Sequence, residues 1–269
     1  MQKLFFITYS DNKDYIVSKP HLISLAKYSG FFDQCIGYSF KDLDGNFINK
    51  YKEVLTMKRG GGYWLWKLNI IEKTLNEMQK DDILIYSDAG SSFNYHAKKR
   101  FQEYIEMVND EKNYPHLRFE SESHHIENEW TSRELFDYFG LKEDSKHGSS
   151  TQLSGGQMLF KKTDHTLDLL DSFHKVLEFD INLITDYYND TKQIPQFKEC
   201  RHDQSIWSLL SKTKGCIKLN NEIEFKGMPD LQYDFPFLAV RRKGHGLRDR
   251  IIYKVFKNSK KSKPEYFRN

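Results

Sequence analysis

Residues 59–90 read RGGGYWLWKLNIIEKTLNEMQKDDILIYSDAG, and the fold follows from this stretch. Gly60, Gly61 and Gly62 carry no Cβ, so the backbone there can turn sharply or lie close to a ligand. A helix is expected next. Trp64, Leu68, Ile71, Leu75 and Met78 recur at spacings of three and four and form an apolar stripe, with Lys67, Glu72, Lys73 and Glu77 facing away. Asp81 and Asp82 interrupt the pattern, and residues 83–86, ILIY, form a short apolar run of the kind found in a strand buried on both faces. It stops at Ser87-Asp88-Ala89-Gly90. A carboxylate is thereby placed at the C-terminal end of a strand, the edge where open α/β sheets bind ligands.

Upstream, residues 3–9 read as a first strand running into the polar turn Tyr9-Ser10-Asp11-Asn12. Ser18-Lys19-Pro20 starts a helix that ends before Gly30, residues 35–38 give a second strand, and residues 50–57 supply a helical turn or two before the glycines. Strand, helix, strand, helix, strand implies parallel pairing through right-handed crossovers. Downstream, Phe101, Tyr104, Ile105 and Val108 mark an amphipathic helix, and residues 117–119 an edge strand. Thr131-Ser132-Arg133-Glu134 has capping-box spacing ahead of Leu135, Phe136 and Phe139, with Gly140 as the C-terminal cap. Residues 157–160 read as a strand, 164–177 as a helix, 180–199 as irregular, 202–212 as a helix and 237–240 as a last strand.

Hydrophobic content of 38% with 15% aromatics supports a packed core, and 29% charged residues a soluble surface. No interdomain linker or internal repeat interrupts the 269 residues, so the expectation is one catalytic-sized domain over residues 1–240 and a basic tail over 241–269. The tail holds eleven Lys and Arg against two acids, net +9, which leaves residues 1–240 at −6 of the overall +3. That acidic remainder argues against a nucleic-acid partner. The first apolar run is too short for a signal peptide, so the expected location is cytoplasmic. Basic residues interleaved with Ile251, Ile252, Tyr253, Val255, Phe256, Tyr266 and Phe267 also suit peripheral contact with an anionic membrane surface. Cys35, Cys200 and Cys216 have neither disulfide nor zinc-site spacing and read as free thiols.

Asp88 beside Gly90 suits a divalent cation that bridges a diphosphate, because Mg²⁺ and Mn²⁺ prefer carboxylate oxygens; equally, Asp88 could only turn the chain. His202-Asp203-Gln204-Ser205 places a carboxylate and an amide in the first turn of a helix, which suits polar substrates or a plain acidic cap. These segments resemble a family. Asp88-Ala89-Gly90 after a buried strand looks like the Asp-x-Asp motif of GT-A glycosyltransferases, and Asp203-Gln204-Ser205-Ile206 is similar to the Asp-Gln-Asp segment of glycogenin-like and lipopolysaccharide galactosyltransferase-like enzymes. Gly90 and Ser205 stand where those enzymes have Asp. The glycine-tryptophan segment, Asp-Ala-Gly and His-Asp-Gln-Ser also resemble little-characterised bacterial and viral glycosyltransferase-like proteins.

The resemblance implies a GT-A-like α/β fold, with a Rossmann-type, mostly parallel central sheet flanked by helices. It also implies a nucleotide-sugar donor, a glycan or lipid-linked acceptor, and Mn²⁺ or Mg²⁺. Thr8, Tyr9 and Ser10 would meet the nucleotide, Asp88 would hold the metal or the donor's ribose and phosphate, and Asp203 and Gln204 would touch donor sugar or acceptor. Arg59, flanking Gly60, would neutralise the leaving diphosphate. Lys67 reads as surface. His245 would be a late metal ligand, and the substrate contacts would be Trp130, Gln157 and His202. Trp64 and Trp66 read as packing. His124-His125 with Glu127 and Glu129 have no helical spacing that puts both imidazoles on one face, and read as a solvated loop. The competing reading is a binding module that keeps the shape without the activity.

Overall fold

The structure is a computed structural model that describes residues 1–11, 13–15, 17–225 and 233–243. His245 and nearly all of the basic tail lie outside these residues, so the readings placed on them stay as expectations. The strands are β1 (Leu4–Tyr9), β2 (Gln34–Tyr38), β3 (Ile83–Ser87), β4 (Ser92–Phe93), β5 (His116–Glu120), β6 (Leu153–Lys161), β7 (Ile217–Leu219) and β8 (Phe237–Leu238). The longer helices are α1 (Ser18–Ser29), α2 (Trp66–Glu77), α3 (Lys98–Asn109), α4 (Asp164–Phe179) and α5 (Asp203–Lys214).

Six strands form one sheet in the order β2-β1-β3-β6-β5-β7, and β4 pairs with β8 beside it. β1 is parallel to β2 and β3, β5 is parallel to β7, and β6 runs antiparallel to both β3 and β5. Five strands therefore share one direction and β6 opposes them. The fold is α/β with a mostly parallel central sheet flanked by helices, as expected. Alternate residues of each strand point to opposite faces, and both faces are apolar. Ile7, Leu84, Tyr86, Met158 and Phe160 pack beneath α2, α4 and α5, whereas Phe6, Ile83, Ile85 and Leu159 pack beneath α1 and α3. Residues 83–87 are buried throughout, which is why ILIY carries no polar alternation.

Three local readings are corrected. The capping box does not form: Ser132 stands at the N-cap of the short helix Arg133–Tyr138 with no side-chain cap bond, and the Thr131 hydroxyl donates instead to buried Glu127 at 2.6 Å. Burial of the Glu127 carboxylate creates a stronger demand for donors than an exposed helix end does. β6 begins at Leu153 rather than at 157, so Gly155 and Gly156 lie within a strand, where the absence of side chains lets Gln204 and Asp88 approach. The helix after the glycines begins at Trp66, because residues 60–64 wind the other way. Gly60, Gly61, Gly62, Tyr63 and Trp64 have φ of 60°, 62°, 94°, 51° and 59°. Such a left-handed run is costly for side-chain-bearing residues. At Gly62 a Cβ would come within 2.6 Å of the Leu55 Cα, so that position admits only glycine.

Candidate active site

Strands β1 and β3 end side by side, and their C-terminal ends open into a cleft of ≈ 590 Å³. Its walls include Tyr9 at the end of β1 and Ser10 and Asp11 after it, Gly60, Gly61 and Trp64 from the left-handed loop, Trp66 at the start of α2, and Asp88 to Ser91 after β3. Gly156, Gln157 and Gln204 line the far side, and Glu224, Arg241 and Lys243 complete the rim. The left-handed loop is held across the cleft by aromatic stacking and one hydrogen bond. Tyr9 and Trp66 stack with ring centroids 3.9 Å apart, and the Trp66 indole donates to the Gly60 carbonyl at 2.9 Å. The segment before residue 244 is strapped down on the opposite side: the Arg242 amide donates to the Gly90 carbonyl at 2.7 Å, and the Ser18 hydroxyl donates to the Arg242 carbonyl at 2.6 Å.

At the floor of the cleft two carboxylates flank one ammonium. Lys67 Nζ lies 2.6 Å from Asp203 Oδ2 and 3.8 Å from Asp88 Oδ1, and it donates to the Gly155 carbonyl at 2.8 Å. Lys67 is only 2% exposed and Asp203 only 3%, whereas the Asp88 side chain is 45% exposed. Asp88 therefore faces the cleft and Asp203 lies behind it. The Tyr86 hydroxyl donates to Asp88 Oδ1 at 2.5 Å, and the Asp88 amide donates to the Gly156 carbonyl at 2.8 Å, so the carboxylate is fixed at one oxygen. The other, Oδ2, sits 3.1 Å from where a Cβ on Gly156 would be.

Burial pushes the Asp203 carboxyl up to about 6, with Asp88 adding to the rise and Lys67 opposing it. A proton is then retained in the folded chain that the unfolded chain has released, so Asp203 favours folding below pH about 4 and loses that contribution as pH rises through 6. Compared with Asp203→Asn, the wild-type chain is expected to lose about 2–3 kcal/mol between pH 4 and pH 6.5. Urea unfolding of both chains across that range checks it; parallel pH profiles would show that the carboxyl is not perturbed. The wild-type profile alone would not serve, because burial pushes His21 and His202 down to about 4, which acts in the opposite direction.

The expected site residues separate into two groups. Tyr9, Ser10, Gly60, Asp88, Gly90, Gln157 and Gln204 line the cleft. Thr8 is fully buried below it. Arg59 turns away, with its guanidinium 3.3 Å from Asp186 and 2.6 Å from Glu199, and does not line the cleft. Trp130 is covered by Arg201, whose guanidinium lies 4.1 Å from its ring centroid, and does not line the cleft either. His202 is buried at the N-cap of α5 with φ 55° and ψ −122°, a strained conformation for a side-chain-bearing residue. Its ring stacks against Trp64 at 5.7 Å and interacts with the Ile184 carbonyl at 3.1 Å. His202 thus buttresses the left-handed loop from behind.

Lys67, which reads from the sequence as surface, is buried. It stands four before Ile71 and eight before Leu75, on the stripe that faces the sheet, so helical spacing alone could have turned it inward. Gln204 is positioned through a buried polar chain. Its amide nitrogen donates to Gln152 Oε1 at 2.7 Å, Gln152 donates to Glu127 Oε1 at 3.0 Å, and Glu127 is paired with Lys212 at 2.8 Å. Gln204 Oε1 also accepts from the Gly155 amide at 3.1 Å.

The donors around Asp88 do not fit a protein-held Mn²⁺ or Mg²⁺. Gly90 offers no side chain, Asp203 is engaged by Lys67, and that ammonium lies 3.8 Å from Asp88; of the other carboxylates lining the cleft, Asp11 accepts from the Phe40 amide at 2.7 Å, Asp14 lies 3.9 Å from Lys243 and Glu224 3.5 Å from Arg241. In this arrangement Lys67 holds the position between the two acids. The expected late ligand, His245, lies outside the described residues.

No family model and no curated protein matches the chain. The chain is similar in structure to a glycosyltransferase involved in the glycosylation of the major capsid of PBCV-1, at 9% identity and a TM-score of 0.46, covering 95% of this chain and 98% of that one. It is also similar to the apo form of mouse xyloside xylosyltransferase 1, at 11% identity and a TM-score of 0.43 over 91% and 97%. A third similarity is to the apo-form glycosyltransferase GlyE of Streptococcus pneumoniae TIGR4, at 10% identity and a TM-score of 0.40, over 96% of this chain and 61% of that one. All three are glycosyltransferases, the class that the sequence resembles. At these scores the likeness assigns no role to any residue.

Proposed function

We propose that the chain is a glycosyltransferase that moves a sugar from a nucleotide diphosphate donor to a hydroxyl of a saccharide or lipid-linked acceptor. The observation that carries the reading is a half-exposed carboxylate, Asp88, fixed at a strand end and aimed into a cleft of ≈ 590 Å³. Such a cleft has the size of a small-molecule site, and it stands at the sheet edge where α/β folds bind nucleotides.

The walls divide by chemistry. The stacked Tyr9–Trp66 pair and the Ser10–Asp11 turn suit a nucleoside, with ring faces for the base and polar groups for the ribose. Lys58 on the rim suits a diphosphate and the charge that develops as it leaves, joined by Arg241 and Lys243, whose exposed side chains stand 3.5 Å from Glu224 and 3.9 Å from Asp14. Asp88 accepts from a donor-sugar hydroxyl or receives the proton of the attacking acceptor hydroxyl, and Gln157 and Gln204 orient the sugar. In the transfer, the anomeric carbon loses its bond to the diphosphate oxygen and gains one to the acceptor oxygen. The acceptor proton passes to Asp88 or to the departing phosphate. A divalent ion, brought with the donor diphosphate, would supply further charge neutralisation there; no step above depends on it.

The test is transfer and donor hydrolysis across a panel of nucleotide sugars, with nucleotide diphosphate binding measured in parallel. Turnover by the wild-type chain supports the reading. Nucleotide binding with neither transfer nor hydrolysis favours a binding module, for which Gly90, in place of the second Asp of an Asp-x-Asp motif, is the supporting observation. A finer check uses Gly156→Ala. The added methyl reaches Asp88 Oδ2 at 3.1 Å, and the half-exposed carboxylate can yield by a few tenths of an ångström. The expected outcome is a loss of about tenfold in transfer with an unchanged melting temperature. Wild-type turnover would mean that the Asp88 position is not critical.

A further inference from the structure

The loop after β5 brings together three side chains that the sugar-transfer reading does not use. The ligand atoms of Glu122, His124 and His125 all lie within 4.8 Å of one another. His124 Nε2 is already 3.6 Å from Glu122 Oε2, and the two imidazole centroids are 4.3 Å apart. Ligands bound tetrahedrally to one Zn²⁺ at its usual bond lengths stand about 3.3 Å from each other. The side chains need only a small closure to reach that spacing. The acid that joins the histidines is Glu122, whereas Glu127, which the sequence groups with them, is fully buried in its pair with Lys212.

The loop backbone is built to keep these groups together. The His125 amide donates to the Glu122 carbonyl at 2.8 Å and closes a turn, and the Gln152 amide donates to the His125 carbonyl at 2.8 Å. Ile126 bridges to Thr151 immediately afterwards. The His125 ring stands edge-on to Trp130 with centroids 5.0 Å apart and planes at 81°, which fixes its orientation. Two cations lie near, Arg201 and Lys198 on the Trp130 face, and each has a carboxylate of its own: Glu199 at 3.7 Å and Glu129 at 2.6 Å.

We infer that Glu122, His124 and His125 bind a single divalent ion of the Zn²⁺ class. Two imidazoles and one carboxylate suit Zn²⁺ over Mg²⁺, which takes oxygen ligands, and three protein ligands leave the fourth position for water or a substrate oxygen. The site adjoins the cleft but is separate from it: the Gln204 amide nitrogen, on the cleft wall, lies 3.5 Å from the hydroxyl of Ser121, the residue before Glu122. The inference stands whether or not the cleft transfers sugar.

The test is calorimetric titration of ZnCl₂ into the EDTA-stripped full chain, with MgCl₂ as the comparison and Co²⁺ absorption as a readout of coordination. One saturable Zn²⁺ per chain is expected, with a tetrahedral Co²⁺ spectrum and no comparable uptake of Mg²⁺. The His124 side chain is 66% exposed, so His124→Ala is compatible with the fold; it should weaken Zn²⁺ on the order of a hundredfold, as should Glu122→Gln. His174→Ala, in the separate His174–Glu72 pair, should leave uptake unchanged. Absence of saturable uptake, or uptake unaltered by His124→Ala but lost with His245→Ala, would overturn the site.

Discussion

Replacing Asp88 by Asn is expected to lower sugar transfer by about a hundredfold or more, equivalent to about 3 kcal/mol of transition-state stabilisation, and to leave the fold intact. The side chain is half-exposed at the end of β3, and Asn keeps its shape and can still accept from the Tyr86 hydroxyl. Only the charge and the basicity are removed. Nucleotide diphosphate binding should persist, because the stacked Tyr9–Trp66 pair and the rim cations Lys58, Arg241 and Lys243 are untouched. Steady-state transfer, with circular dichroism and nucleotide titration alongside, makes the measurement. Near wild-type turnover would remove Asp88 from the reaction, whereas loss of nucleotide binding together with turnover would assign it to donor recognition.

The position of Asp88 was legible because it follows from local pattern. A four-residue apolar run with no polar alternation can be a strand only if both its faces are covered, and the polar residues after it mark the sheet edge: Ser87 is still buried as the last residue of β3, and Asp88 is the first to emerge. The direction of β6 was not legible. Gln157-Met158-Leu159-Phe160 reads alike whether a strand runs parallel or antiparallel, and the direction is set by what precedes it in space. Arg59 shows another limit. Its partners, Asp186 and Glu199, lie 127 and 140 residues away in the chain, so a cation beside a glycine loop looked available when it is engaged. The left-handed winding of Tyr63 and Trp64 was hidden for a different reason. Glycine signals a permissive backbone, but side-chain-bearing residues take this conformation only when packing requires it, here Trp64 against His202. Lys67 was available to a stricter reading, since it shares a helical face with Ile71 and Leu75. The sequence alone reads this charge as outward, because nothing nearby in the chain shows that Asp203 meets it.

That meeting gives the largest expected change in stability. In Lys67→Met the side chain keeps its volume and loses its ammonium, leaving Asp203 buried without a counter-charge and the Gly155 carbonyl without its 2.8 Å donor. Breaking a buried ion pair from one side costs about 3–5 kcal/mol, since the remaining charge is neither solvated nor neutralised. Urea unfolding at pH 7.5, where the wild-type Asp203 is ionised, is expected to show a loss of that size. Activity would fall as well, but a destabilised protein cannot tell a structural ion pair from a functional one. The double variant Lys67→Met, Asp203→Leu separates them. Replacing both members of a buried pair by apolar groups of similar size is often neutral or stabilising, so most of the lost stability should return. If Lys67 serves only to neutralise Asp203, transfer should return with it. The geometry points to the other result. Lys67 Nζ is also 3.8 Å from the cleft carboxylate Asp88 and anchors the strand whose Gly155 amide holds Gln204, so its charge sets the field at Asp88 and its hydrogen bond sets the cleft wall. A refolded double variant that binds nucleotide yet transfers poorly is the expected outcome. Recovery of both stability and transfer would reduce the pair to a device of folding.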